Sequence, residues 1–195
     1  MEVTMTAEDY KSRTARSYKL ILLFAMVSMT MMFAGLTSAY VVSQSRADWL
    51  KDFQLPSGFY FSTIAIIGCS ITFHLAKKAI QKDNQSKTTV LLLATLALGI
   101  SFVVLQFVGF RQIVENGYYF TGSASSITTT FLYIVVIVHL LHLAGGMISL
   151  LIIIYNHFKQ KYNSTQTLGI ELGAMYWHFL DFLWVYLFLF LYFFK

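Results

Sequence analysis

The chain's 195 residues are 57% hydrophobic and only 12% charged, with a mean hydropathy of +0.64, which excludes an ordinary soluble domain and points to a membrane protein. A single cysteine, Cys69, lies in an apolar run, so no intramolecular disulfide framework is available. The net charge of +5 is split among short segments flanking apolar runs, a distribution that fits membrane orientation and argues against a nucleic-acid partner.

In chain order, five runs are apolar enough to cross about 30 Å of hydrocarbon, at roughly 20–43, 57–76, 89–110, 127–155 and 172–194. The tail, 1–19, is polar and carries Lys11, Arg13, Arg16 and Lys19; with no small-residue cleavage site after the first run, it reads as a cytoplasmic tail and not a cleavable signal. Within the first span, Met26, Met29, Met31 and Met32 suit soft packing better than copper. His74 closes the second span as a snorkelling residue, and "KKAIQKDNQSK" (77–87) is a basic connector. The third span ends before Arg111, and the polar turn "GYYFTGSASS" (117–126) leads into the fourth. That span holds His139, His142 and the pair Gly145–Gly146, whose missing side chains permit close helix contact. His157, beyond it, reads as solvated. Glu171 stands at the start of the fifth span, and Asp181 is the one acid or base inside any span. The aromatic stretch 182–194 is expected to face lipid or another subunit, with Tyr192, Phe193 and Phe194 at the boundary.

Lipid offers backbone groups no outside partner, so these runs are helices, and the alternating short strands of a barrel are missing. Ten of the 14 basic residues fall on the side of the first tail and four on the other, which sets the N-terminus inside and the C-terminus outside. The expectation is an all-α bundle of five transmembrane helices forming a single domain over 1–195.

The informative residues are the polar ones inside the spans. At a rise of about 1.5 Å per residue, His139 and His142 lie roughly 18 and 22 Å from the outer surface, and His178 and Asp181 roughly 9 to 14 Å above the inner one. Each pair has i, i+3 spacing and shares a helix face. Polar groups at such depth are expensive unless paired or hydrated, and three readings stay open. Asp181 accepts hydrogen bonds from His178 or a histidine of the fourth helix and locks the two helices as a polar seam. Alternatively, facing histidines ligate haem or a metal, as in a b-type cytochrome; or the group handles protons or binds a lipid headgroup. Glu171 and Trp177 are placed at the headgroup level. No P-loop, HExxH, nucleophile elbow or Cys-rich metal motif is present, so no chemistry is expected from this chain alone.

Several stretches resemble subunit III of haem–copper respiratory oxidases. "YWHFLDFLWVYLFLFLYF" (176–193) is similar to that family's ending, "HLLHLAGG" (139–146) to its histidine-pair helix, and "FAGLTSAYVV" (33–42) to its first shared helix. "LPSGFYFST" (55–63) resembles the start of the next helix, and "ALGISFVVLQFVGF" (97–110) the one bearing a glutamine near the outer surface, here Gln106. The likeness runs in order over about residues 18 to 194. Two departures stand out. Longer members have two further N-terminal helices, and many carry a buried glutamate after a serine where Ser28 is here followed by Met29; a second family carboxylate corresponds to Gly109.

The resemblance implies a non-catalytic subunit of the short five-helix form, in a bacterial cytoplasmic membrane. It implies packing against subunit I, with subunit II and small subunits as further partners, within a larger respiratory assembly. It also implies bound phospholipid, haem and copper held by partner subunits and none in this chain, and support of assembly, proton uptake and durable turnover of oxygen reduction to water. The donor, cytochrome c or quinol, stays open. So do an accessory role in a quinol oxidase or nitric oxide reductase, a free-standing b-type cytochrome and a transporter.

Overall fold

The computed structural model describes residues 7–50, 54–122 and 125–194. Among these described residues there are five helices: α1 (Ala7–Ser43), α2 (Ser57–Gln81), α3 (Gln85–Glu115), α4 (Ile127–Phe158) and α5 (Leu168–Phe193). Each is long and apolar enough to cross a membrane, so the all-α fold class holds. Their starts follow from local chemistry. Pro56 precedes α2, where a missing N–H costs nothing. The Asn84 side chain accepts from the Lys87 N–H to cap α3, and Ser126 and Thr129 close a capping box on α4.

The helices outrun the expected spans. α1 begins at Ala7, well before 20, because the polar tail contains no glycine or proline and Ser12 and Ser17 bond back to the carbonyls of Asp9 and Arg13. The basic connector is mostly helical too. The turn between α2 and α3 is confined to Lys82–Asn84, with Asp83 at a left-handed φ of 53°.

α2, α3, α4 and α5 close a ring in which each packs on its two neighbours, and α1 lies outside it against α4 and α5 only. Phe59, Phe73, Phe102, Trp177 and Trp184 fill the ring, while Phe33 of α1 joins Val135, Leu183 and Leu187 in a smaller cluster. Polar tethers hold α1 along its length: Lys19 to Glu171 at 2.7 Å, Thr37 to Tyr186 at 3.1 Å, and Gln44 to the Phe194 carbonyl at 2.9 Å. The methionine run does little internal packing. Met26 is buried, but Met31 and Met32 face outward.

Glycine sets the closest crossing. A Cβ on Gly58 of α2 would stand 2.8 Å from the Gly109 backbone nitrogen of α3, and backbone cannot swing aside as a side-chain tip can. Gly58→Ala is therefore expected to lower unfolding stability in detergent by about 1–3 kcal/mol. Gly35→Ala on α1, where a Cβ meets nothing within 4 Å, gains up to about 1 kcal/mol from helix propensity; unfolding midpoints of the two variants give the comparison.

At the end bearing the α1 N-terminus, the Ser164 N–H donates to the Asp83 carboxylate at 2.6 Å, clipping the α2–α3 turn to the α4–α5 loop. Hydrogen bonds from the Ser164 side chain and then its backbone hold the Asp83 carboxyl below its ordinary value. A depressed folded value means that the clip is fully present above about pH 4 and is lost as pH falls through the folded value. Limited proteolysis of loop 159–167 is expected to accelerate on acidification below that point, and to be faster and pH-independent over that window in Asp83→Asn.

Candidate functional site

Helical spacing of i, i+4, i+7 puts Trp177, Asp181 and Trp184 on one face of α5, and that face is turned inward. They are 1%, 4% and 0% exposed. Trp177 packs on Phe73 of α2 at 6.1 Å between ring centroids, and a Cβ added at Gly99 of α3 or Gly146 of α4 would come within 3.3 Å of its ring. The tryptophan expected at the headgroup level thus sits among three other helices, in space left by two glycines. Trp184 donates its N–H to Thr63 of α2 at 3.0 Å and lies 5.1 Å from Phe102 and 5.2 Å from His139.

The two histidine-bearing turns face different neighbours. His178 Nδ1 is 2.7 Å from Ser70 Oγ of α2, and its ring lies 6.0 Å from that of His74. Ser70 also reaches toward the Asp181 carboxyl but stops short of hydrogen-bonding geometry, so neither carboxyl oxygen has a partner. The thiol of Cys69, beside it, donates to the Thr95 carbonyl at 3.1 Å. His139 is fully buried with both ring nitrogens unpartnered, closed in by Phe33, Phe102 and Trp184. His142 donates from Nδ1 to the Val138 carbonyl at 2.7 Å and sets its ring against Phe33 of α1.

Among the described residues, no hydrogen bond joins His139 or His142 to His178 or Asp181. The antiparallel register puts His142 and Asp181 at similar heights, with Gly146 against Leu180 and Trp177 and His139 against Trp184. Rotation separates the pairs, since α5 shows His178 and Asp181 to α2 while α4 meets α5 through Gly146 and the Tyr176 hydroxyl, which donates to the His142 carbonyl at 3.1 Å. Equal depth and a shared face within each helix carry no information about the facing direction, and that is where the four-residue seam fails to form.

One further expectation changes. His157 is buried and lies 2.8 Å from the Thr89 hydroxyl of α3; it is not solvated, because α3 extends far enough to cover it. Gln106 of α3 is fully buried and donates to Ser62 of α2 at 2.8 Å.

At the N-terminal end of α1, Glu171 accepts from Lys19 at 2.7 Å and from the Thr167 hydroxyl at 2.8 Å. It lines a cleft of about 920 Å³ with Lys11, Lys19, Lys161 and Tyr162. Burial pushes the Tyr162 phenol up, against an opposing bond to Asn156. Tyr162 and Gly169 also line a groove of about 940 Å³ that continues between α1, α4 and α5, walled by Ile21, Ala25, Gly145, Ile148 and Tyr176. Among the described residues, no three His, Cys, Asp or Glu side chains come together as a metal site. Ser70 and the groove are the elements that sequence reasoning missed. The i, i+4 placement of Ser70 and His74 on α2 was a readable sign of a polar face.

Comparison with known proteins adds identity. The family model described as cytochrome c oxidase subunit III matches residues 2–195. Proteins named cytochrome c oxidase subunit 3 are similar to this chain: that of Spodoptera frugiperda is 32% identical over 144 residues, covering 72% of this chain and 89% of the relative. Those of Aedes aegypti and Petromyzon marinus are 30% and 28% identical, each match covering 72–73% of this chain and about half of the relative.

Replacing a buried polar ring that has no partner by an apolar ring of similar shape is nearly neutral or stabilising, whereas truncation opens a cavity. His139→Phe is therefore expected to leave the unfolding midpoint unchanged or raised. His139→Ala is expected to lower stability by about 3 kcal/mol, and the pair is read by thermal unfolding in detergent.

Proposed function

We propose that this chain, which belongs to the cytochrome c oxidase subunit III family, acts as a non-catalytic subunit of a haem–copper terminal oxidase, packed beside the catalytic subunit and holding phospholipid in the groove between α1, α4 and α5. The observation that carries the reading is the family match along residues 2–195, in register with five spanning-competent helices that make it a multi-pass membrane protein. Haem and copper belong to the partner subunits in this reading, and subunit III contributes to assembly, proton uptake and durable turnover. The five-helix form supports a bacterial cytoplasmic membrane, and the excess of basic residues at the α1 N-terminal end supports placing that end inside.

The groove suits a phospholipid on chemical grounds. Its mouth presents Lys11, Lys19 and Lys161 against the single carboxylate of Glu171, a net positive setting for a phosphate. Its length is walled by aliphatic and aromatic side chains, where an acyl chain gains contacts at no desolvation cost. Glu171 and Lys19 line the mouth, and Tyr162 and Gly169 border both parts, so the headgroup-level role expected of Glu171 is retained in this reading, while Trp177 takes no part.

The direct test is a native gel of mild-detergent membranes, in which the chain is expected to co-migrate with a haem-bearing oxidase; migration alone, or a Soret band on the isolated polypeptide, overturns the reading. Lipid is tested separately. Ser149→Trp puts a large ring into the groove that Ser149 lines, and is expected to reduce the phospholipid phosphorus retained per chain while leaving the helical content unchanged.

A further inference from the structure

The α2–α5 contact carries a file of polar groups leading from the α1 N-terminal end toward the bundle centre. His74 is exposed, His178 is half-buried beside it, Ser70 lies one turn deeper on α2, and Asp181 ends the file at 4% exposure. Each step alternates between the two helices or moves one turn along one of them. The groups facing this file are few. Lys77 and His74 of α2 face His178. Cys69 of α2 faces Asp181, but its thiol is committed to the Thr95 carbonyl. From α5 itself Trp177 shares the Asp181 face with its indole N–H unpartnered, and α4 sends His139 into the interior, shut off behind Trp184.

A buried carboxyl with no hydrogen bond of ordinary geometry is costly to keep in a membrane bundle, and the Ser70 hydroxyl beside it is engaged at 2.7 Å with His178 instead. We propose that His178 and Ser70 form a proton-exchange path connecting exposed His74 to buried Asp181, so that this chain carries an exchangeable proton of its own within the membrane. The inference does not depend on which complex the chain joins.

The transfer balances as follows. A proton delivered by water beside His74, whose ring lies 6.0 Å from that of His178 with no hydrogen bond between them, adds to the Nε2 ring nitrogen of His178. The imidazole releases its Nδ1 proton to Ser70 Oγ across the 2.7 Å contact. Ser70 passes its original hydroxyl proton to an Asp181 carboxylate oxygen, keeping one proton throughout. His178 and Ser70 end as neutral as they began, and the net change is one proton moved from water onto the carboxylate. Reversal returns it. Because Ser70 engages His178 and not Asp181 in the observed geometry, the exchange requires the serine and the carboxyl to shift until Oγ bridges Nδ1 and a carboxylate oxygen at once, so that the two transfers are concerted and Ser70 never carries two protons or none.

Infrared spectroscopy of the full chain, in whatever complex it purifies with, tests the path through hydrogen–deuterium exchange. The carboxylic acid C=O band that disappears in Asp181→Asn is expected to shift on dilution into D2O. Ser70→Ala and His178→Phe are each expected to slow that shift by about tenfold or more, while Ser70→Thr, which keeps the hydroxyl, exchanges at the wild-type rate. Thr95→Val perturbs a neighbouring polar contact off the path and is expected to change nothing. Equal rates in wild type, Ser70→Ala and His178→Phe overturn the proposal, as does the lack of any Asp181-dependent acid band across the accessible pH range. Equal slowing by Thr95→Val also overturns it, since that outcome reports general loosening and not a route.

Discussion

Trp177 and Trp184 stand two helical turns apart on α5, and their burial against α2, α3 and α4 fixes the rotation of that helix about its axis. In hydrocarbon there is no solvent to drive apolar surfaces together, so shape and a few hydrogen bonds choose between rotations that oil alone would leave equivalent. The ring of Trp177 set over both Gly99 and Gly146 and the Trp184 indole N–H seated on Thr63 are such a choice. Once α5 is set, Asp181 must point between the two rings and His178 must point at Ser70. The polar chemistry of the bundle is a by-product of where two tryptophans fit.

That dependence explains what could be read from residues alone. The spans were legible because long uncharged runs have one solution in lipid. The extra turns of α1 were not, since a polar segment with no breaker continues as a helix or frays with equal composition. The four-residue seam was misjudged for a geometric reason: i, i+3 spacing tells which side chains share a face, whereas the direction of that face is decided by Gly146, Gly99 and the Trp177 ring that fills the space over both. His157 shows the same limit in reverse, because its burial depends on Thr89, far away in the chain and on another helix.

The groove beside α1 and the polar file beside α2 lie on opposite flanks of α5, and both open toward the same basic end. One flank offers apolar length with a charged mouth; the other offers titratable groups with little space. Family membership makes the chain a cytochrome c oxidase subunit III relative, but the difference between these flanks follows from its own side chains. Substitutions along α1 are therefore separable from substitutions along α2 in what they disturb.

The position of α1 outside the ring also shapes how the protein is made. Ribosomal synthesis delivers α1 to the bilayer before α4 and α5, the only helices it touches, have been translated. During that interval Lys19, Thr37 and Gln44 have none of the partners that later hold them, and the α2–α3 hairpin, joined by a three-residue turn, can close without it. The α1 helix thus waits for neighbours that are made after the α2–α3 hairpin, and a chain stalled before α4 leaves it with none of its helix contacts.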